Sequence, residues 1–251
     1  MVRRGPSARP PQRVPSRSAP LYDSRPALLD GLDDQSLTDT GLSAPPKRTG
    51  PKRTGQILLI ACGALAREIL DIKTRGGWDH MDLTCLPAIL HNHPDRITDA
   101  VTAMVEKHRT SYDNIYVIYA DCGTGGLLQA ACKTLGVEMM AGPHCYSFYE
   151  GNQAFADRGD SEITAFYLTD FLVRQFDTFI WKPLGLDRHP ELRDSYFGHY
   201  EKLVYQAQTT DPTLTAKAKS CAARLGLAFE HRQTDYGDLA TTLKQWSEKP
   251  K

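Results

Sequence analysis

The sequence predicts an α/β protein: a mostly parallel sheet with helices on both faces, built as two Rossmann-like halves behind a disordered N-terminal tail. Three observations carry this. From Ile57 onward, short β-branched apolar runs alternate with helix-period segments, the pattern of successive βα units. Several of those runs end on Cys, His or Asp rather than on the Ser, Gly and Asn of ordinary turns. The first 55 residues, by contrast, hold 9 of the 16 prolines, no His, Cys or Trp, and one aromatic, Tyr22.

Such a segment cannot bury enough apolar surface to offset its ordering entropy, so residues 1–55 read as tail and linker. They close on a direct repeat, PKRTG at 46–50 and again at 51–55, which is low-complexity in character. Arginines at 3, 4, 9, 13 and 17 would suit a transit peptide, but the prolines between them break up an amphipathic helix. Removing residues 1–50 is therefore expected to leave folding unchanged. Residues 56–251 are expected to form a single α/β domain whose two halves divide near residue 155.

The first strand is Ile57 to Ala61, closed by Cys62-Gly63, and Leu65, Ile69 and Ile72 space a helix behind it. Asp82 to Leu86 is a short second strand containing Cys85. The loop PAILHNHP (87–94) carries His91 and His93, then Ile97, Val101, Met104, Val105 and His108 mark one side of a helix. Ile115 to Tyr119 is a third strand and stops at Asp121-Cys122-Gly123. Thr124-Gly125-Gly126 opens a helix with Leu128, Ala131, Cys132 and Leu135 on one face, and Gly136 ends it. Val137 to Ala141 is the next strand, running into Pro143-His144-Cys145.

After Gly151 come one or two helical turns, then Ala165 to Leu168 as a fifth run. Asp170 is placed to N-cap a helix through Phe171, Val173, Phe176 and Phe179. A charged, aromatic loop and helix follow in LGLDRHPELRDSYFGHY (184–200). Lys202 to Ala207 is a sixth strand. Asp211-Pro212 starts a helix with Leu214, Ala218, Cys221, Ala222 and Leu225 inward. Phe229 to Arg232 is a final strand before a last helix to Trp246.

Formal net charge is +0, but the tail holds 10 Lys+Arg against 5 Asp+Glu, which leaves 20 against 25 in the rest. A mildly acidic body argues against nucleic-acid binding. No apolar run approaches the ~18 residues of a membrane span, so no membrane partner is expected. The 6 cysteines do not read as a disulfide framework. There is no apolar signal-peptide core near Met1, the chain is too large to need staples, and two cysteines lie on apolar helix faces. A cytoplasmic protein with free thiols is the expectation.

In a parallel sheet the strand ends emerge on one edge, where open α/β folds place their ligands. Cys62, Cys122 and Cys145 are the candidate metal ligands there, with His144 or His91 as the fourth. Soft thiolates of this kind suit zinc or an iron–sulfur cluster. No CxxC pair occurs, so three ordinary buried thiols is the alternative. If the site is real, the three sulfurs should lie within about 8 Å of one another, with His144 at the rim and Asp121 or Asp170 in support. Cys85, Cys132 and Cys221 are assigned to the core.

Cys122 has a second reading as a nucleophile, its thiol activated by the following helix N-terminus, with His144 as base and Asp121 beside it. The amides of Thr124, Gly125 and Gly126 could hold a phosphate or carboxylate of a cofactor, although GTGG is an incomplete nucleotide fingerprint. His91 and His93, separated by one residue, point opposite ways in an extended loop, so only one should reach a shared ion.

The motifs IACGAL (60–65), LPAILHNHPDRI (86–97), YADCGTGG (119–126) and GPHCYSFYEG (142–151) are long and specific, as are FYLTDFL (166–172), LGLDRHPEL (184–192), YFGHY (196–200) and VYQAQTTDP (204–212). From Ile57 to the last helix the chain resembles the uncharacterised family called domain of unknown function 1638. Members tend to be encoded beside corrinoid-dependent methyltransferases that demethylate methylamines and betaines. The resemblance therefore implies a role in one-carbon methyl transfer, with a corrinoid protein or methyltransferase as partner and a corrinoid reached only through that partner. It implies no reaction. Cys62, Cys122, His144 and Cys145 fall inside its motifs. Asp187-Arg188-His189 invites comparison with the loop that supplies a histidine to cobalt in corrinoid proteins, but Leu192 stands in the place of its glycine, and a capped helix start is the better reading.

Three functions stay open, and with them whether the protein is an enzyme. It could be a metal–thiolate enzyme or accessory factor in methyl transfer. It could bind a small-molecule ligand or act as a scaffold, using the loops from Asp187 to Tyr200 against a methyltransferase. It could be a metal-free cysteine transferase or hydrolase.

Overall fold

The computed structural model describes residues 31–45 and 55–249, apart from the side chains of Asp160 and Ser161. In chain order it begins with helix α1 (Asp34–Asp39), followed by strand β1 (Ile57–Cys62), helix α2 (Ala66–Gly76) and strand β2 (Met81–Leu86). Helix α3 (Ile97–His108), strand β3 (Asn114–Ile118), helix α4 (Leu127–Leu135) and strand β4 (Glu138–Met139) complete the first half. Two short helices, α5 (Ser147–Glu150) and α6 (Asn152–Arg158), lead to strand β5 (Ala165–Thr169) and helix α7 (Asp170–Arg174). Helix α8 (Arg193–Phe197), strand β6 (Lys202–Ala207), helix α9 (Pro212–Leu225), strand β7 (Ala228–Gln233) and helix α10 (Gly237–Ser247) finish the chain.

The strands form two wholly parallel sheets, ordered β2-β1-β3-β4 and β5-β6-β7. The order of the first follows from burial. All six residues of β1 are buried, which an apolar run such as ILLIAC requires and only a central strand provides. In that sheet the chain steps from β1 to β2 on one side, then crosses to β3 on the other, so strand order reverses between β1 and β3. Open α/β sheets bind ligands outside the carboxyl ends of the strands at such a reversal. Cys62 ends β1, and Cys122 lies just beyond β3.

One continuous apolar cluster runs through both halves, from Leu58 and Val117 to Leu203 and Leu239. Helix α10 returns to the first half. Its Trp246 stacks on Tyr116 of β3, ring centroids 4.5 Å apart, and donates to Glu138 at 2.7 Å. Just before it, the Tyr236 hydroxyl donates to Asp71 of α2 at 2.7 Å.

The reading of residues 1–55 as a structureless tail needs correction at 33–42. Asp33 caps α1, accepting from the Ser36 amide at 2.8 Å, and Leu37 is buried in the core. Asp34 pairs with Arg67 of α2 at 3.0 Å and with Arg174 of α7 at 2.8 Å, and so touches both halves. Leu42 then makes an isolated antiparallel bridge to Cys85, covering the outer edge of β2. Gly41 (φ 76°) allows this approach, since a Cβ there would stand 2.0 Å from the Cys85 carbonyl oxygen. A helix of six residues with one large apolar side chain has no periodicity to detect; it is held by tertiary contacts alone. Residues 1–30 and 46–54, the latter holding all of the repeat but Gly55, lie outside the described residues.

Three smaller expectations also shift. The strand at Val137 to Ala141 pairs only over Glu138–Met139, at the sheet's edge. The helix after Thr169 is capped by Thr169 itself, whose hydroxyl accepts from the Leu172 amide, and it gives way to a π-helical turn at Asp177–Trp181. The helix expected from Thr124 begins at Leu127.

Candidate functional site

Beyond the carboxyl ends of β1 and β3 lies a cavity of about 320 Å³, lined also by Thr169, Leu172 and Phe179 of the second half. Cys62, Cys122, Cys145, His91 and His144 all line it. Among the described lining residues there is no carboxylate, lysine or arginine. Cys62 is buried, Cys122 and Cys145 are half-buried, and His91 and His144 are exposed.

Two of the sulfurs meet. The Sγ atoms of Cys122 and Cys145 are 3.1 Å apart. The Cys145 thiol holds the Cys122 thiol below its ordinary value of 9.0, against burial and the nearby Asp121 charge, which both push it up. Cys145 itself is raised well above 9.0, chiefly because its own proton is committed to Cys122 and secondarily because it is buried. Within the pair, ionisation is thus favoured at Cys122 and disfavoured at Cys145. This replaces the helix N-terminus as the cause of activation: α4 starts five residues further on. Cys62, sealed by burial, is pushed up to about 12.

Cys122 also has φ 48°, the one non-glycine residue with positive φ among those described. That conformation costs roughly 1 kcal/mol for an L-residue with a Cβ. It is held by the turn Asp121 builds. The Asp121 carboxylate accepts from the Gly126 amide at 2.6 Å and the Gly125 amide at 3.3 Å, and its backbone carbonyl accepts from the Thr124 hydroxyl at 2.8 Å. The anion expected at Thr124, Gly125 and Gly126 therefore comes from inside the chain, and those amides are directed to Asp121 rather than to a cofactor. Their hydrogen bonds, that from Gly126 foremost, lower the Asp121 carboxyl below its ordinary value.

His144 stands in the cavity wall but makes no hydrogen bond to Cys122. Its ring stacks on Tyr146 at 4.8 Å, and Tyr146 stacks in turn on Tyr167 at 5.0 Å. Both site histidines are lowered from 6.5: His144 by burial, partly offset by Asp121, and His91 by the protein crowding its ring and by His144. For His91 the crowding is local, since the residue as a whole keeps an exposed edge. Both imidazoles are neutral at pH 7. The loop carrying His91 is a 3₁₀ turn (Ala88–Asn92) rather than extended chain, and it places His91 on the cavity against Phe179.

Asp170 does not face the cavity. Fully buried, it accepts from the Tyr205 hydroxyl (2.7 Å), the Gln208 amide (3.1 Å) and the Thr209 hydroxyl (2.6 Å), tying β5 to β6. Asp187 and His189 are likewise away from it; the His189 ring hydrogen-bonds Glu191 at 3.1 Å beside the 3₁₀ turn Pro190–Leu192, which carries no side-chain cap. Cys85, Cys132 and Cys221 are buried in the core.

Tyr119 was absent from the sequence-derived set. It is 1 % exposed, lines the cavity, and its hydroxyl has no hydrogen-bond partner of normal geometry. It lends the neighbouring Cys62 sulfur only a weak stabilisation. Burial keeps this hydroxyl protonated, so it is a donor ready for a ligand. Its position at the end of an apolar run makes it look like core; the signal was that it stands two residues before Asp121.

The chemistry of the donors, three sulfurs and two neutral imidazoles, suits a soft metal. Their spacing does not: among the described residues no group of three or more His, Cys, Asp or Glu side chains is arranged to hold an ion. What the site presents is a hydrogen-bonded cysteine pair at a tyrosine-walled cavity without carboxylate, lysine or arginine among its described lining residues.

No helix among the described residues is long and apolar enough to cross a membrane. A family model described as "Protein of unknown function (DUF1638)" matches residues 85–243, a span that takes in His91, Cys122, His144 and Cys145 and begins after Cys62. No curated protein matches the chain.

Proposed function

Since the chain belongs to the DUF1638 family of proteins of unknown function, we propose that it is a thiol-centred enzyme or accessory factor of one-carbon methyl transfer, with Cys122 as the reactive sulfur. One observation carries this reading: the Cys122 sulfur, 3.1 Å from the Cys145 thiol that favours its ionisation, in the wall of a cavity without charged side chains. A thiolate is the nucleophilic form of cysteine, and a weakly polar cavity leaves it poorly solvated and reactive. Methyl transfer is what the family resemblance implies, and a thiolate is a competent acceptor of a methyl group. The partner in this reading is a corrinoid protein or methyltransferase in the cytoplasm, where thiols stay reduced.

The test is to incubate reduced protein with a methylated corrinoid and map the cysteines by peptide mass spectrometry. A methyl group on Cys122, absent from Cys122→Ala, is expected. An unmethylated Cys122 that iodoacetamide still alkylates would end the methyl-transfer part and leave the reactive thiol.

A metal–thiolate centre is the second reading, favoured by the meeting of Cys62, Cys122, Cys145, His91 and His144 on one cavity. Those residues would hold zinc or an iron–sulfur cluster, and the metal would supply Lewis-acid or redox chemistry there. Binding would require the sulfurs to rearrange from the observed pair. Metal analysis of protein purified without oxygen decides it: about one Zn, or several Fe with sulfide, per chain supports this reading. Metal-free protein with an alkylatable Cys122 rejects it.

A further inference from the structure

The Cys122 and Cys145 sulfurs stand 3.1 Å apart, against ~2.05 Å for a disulfide. Closing that gap takes about 1 Å of movement. Neither sulfur is on a strand. Cys122 sits in a turn whose glycines 123, 125 and 126 all have positive φ, and Cys145 lies between the end of β4 and the start of α5. Both are half-buried and line the open cavity, so a small reagent can reach them. The four other cysteines are buried. They include Cys62, which shares the cavity but is buried.

We propose that Cys122 and Cys145 form a dithiol–disulfide pair that exchanges with a low-molecular-weight disulfide entering the cavity. The Cys122 sulfur attacks one sulfur of the incoming disulfide, forming a mixed disulfide and releasing the first small thiol. The Cys145 sulfur then attacks Cys122, closing the protein disulfide and releasing the second small thiol. Two protein thiols are oxidised, one small disulfide is reduced to two thiols, and the two thiol protons leave with the products. Cys145 is the resolving sulfur. Closure withdraws both sulfurs from the cavity, so the same pair that reacts when reduced is silent when oxidised. The inference concerns the sulfur made reactive in the reading above but does not rest on methyl transfer.

The experiment uses the full chain, reduced without oxygen, then equilibrated in mixtures of oxidised and reduced glutathione and quenched in acid. The protein is then unfolded in denaturant, free thiols are blocked with N-ethylmaleimide, and the peptides are mapped. Of the 6 cysteines, four should be labelled and one peptide pair should be joined through Cys122 and Cys145. The protein should be two hydrogens lighter, and dithiothreitol should restore all 6 thiols. Cys145→Ser should stop at one glutathione per chain on Cys122, and Cys122→Ser should take up none at Cys145. Thermal melts of both variants confirm that they fold. Six labelled thiols in the most oxidising mixture, a bridge through Cys62, or no glutathione on Cys145→Ser would each overturn the proposal. A bridge that forms in protein that no methylated corrinoid modifies would leave this inference standing and the methyl-transfer reading rejected.

Discussion

The direction in which each sulfur titrates sorts the cysteines into those that can react and those that cannot. Cys122 is lowered from 9.0 by the Cys145 thiol, so more of it is thiolate at pH 7 than of an ordinary cysteine. Iodoacetamide should therefore alkylate Cys122 first, with a rate midpoint below pH 9. In Cys145→Ala the largest lowering influence is gone while burial and the Asp121 charge still push up, so the midpoint should rise. An unchanged midpoint in Cys145→Ala would show that something else activates the sulfur. Cys132 and Cys221, each pushed up to about 11 by burial, should stay unlabelled in the folded protein. Replacing either by Ala should cost about 1 kcal/mol as a small cavity forms and leave Cys122 labelling unaltered, as thermal melts and peptide maps can check. The three cavity cysteines were legible in the sequence because Cys62 ends a strand run and Cys122 and Cys145 stand in the loops that leave the next ones. Tyr119 was not, since a buried hydroxyl aimed into a cavity has the same local pattern as one packed in a core. Nor was the work of Asp121, because a carboxylate bonded to amides four and five residues on leaves no spacing signature.

Among the elements, the strands were readable wherever burial forces a continuous apolar run, as in β1 and β3. Elements stabilised mainly by their neighbours were not readable. β4 is two residues long, and α7 passes into a π-helical turn that no 3.6-residue period describes. Helix α1 is the clearest case and carries a prediction. Leu37 is 2 % exposed and belongs to the same apolar cluster as β1 and β2. Its truncation to Ala should cost roughly 2–5 kcal/mol, the range for a buried leucine. Removal of residues 1–45 should lower the melting temperature further, since it also breaks the Asp34 pairs and uncovers the β2 edge at Cys85. An unpaired strand edge invites self-association, so the trimmed protein should also aggregate more readily. Equal melting temperatures for the trimmed and full chains would mean that α1 merely rests on the surface.

At the scale of the whole molecule, one apolar cluster through both halves and the return of α10 to β3 make the chain open as a unit, so groups far apart in sequence bear on a single stability curve. The thiols and phenols set its alkaline side. Cys62 is pushed up to about 12, Cys132 and Cys221 to about 11, and Cys85 well above 9.0, all chiefly by burial. An unfolded chain releases those protons from about pH 9, whereas the folded chain keeps them until its raised values are reached. The stability these groups contribute is therefore whole below pH 9 and is lost as pH rises toward 11 and 12. Each group adds a slope of at most ~1.4 kcal/mol per pH unit. Tyr119 and Tyr149, raised well above 10.0, steepen the fall from pH 10 upward. Cys145 is raised as well, so Cys122, shifted the other way, opposes the fall with one thiol against five. On the acid side, His91 and His144 are lowered from 6.5, so an unfolded chain binds protons there before the folded one does. Stability is then lost as pH falls below 6.5 through their folded values. Urea midpoints between pH 5 and 11 should show a plateau from about 6.5 to 9 with a decline on both sides. His91→Gln should soften the acid decline alone, and Cys132→Ala with Cys221→Ala should soften the alkaline one alone. A curve that stays flat from pH 9 to 11 would mean that those thiols meet solvent in the folded protein, and the packing described for them would be wrong.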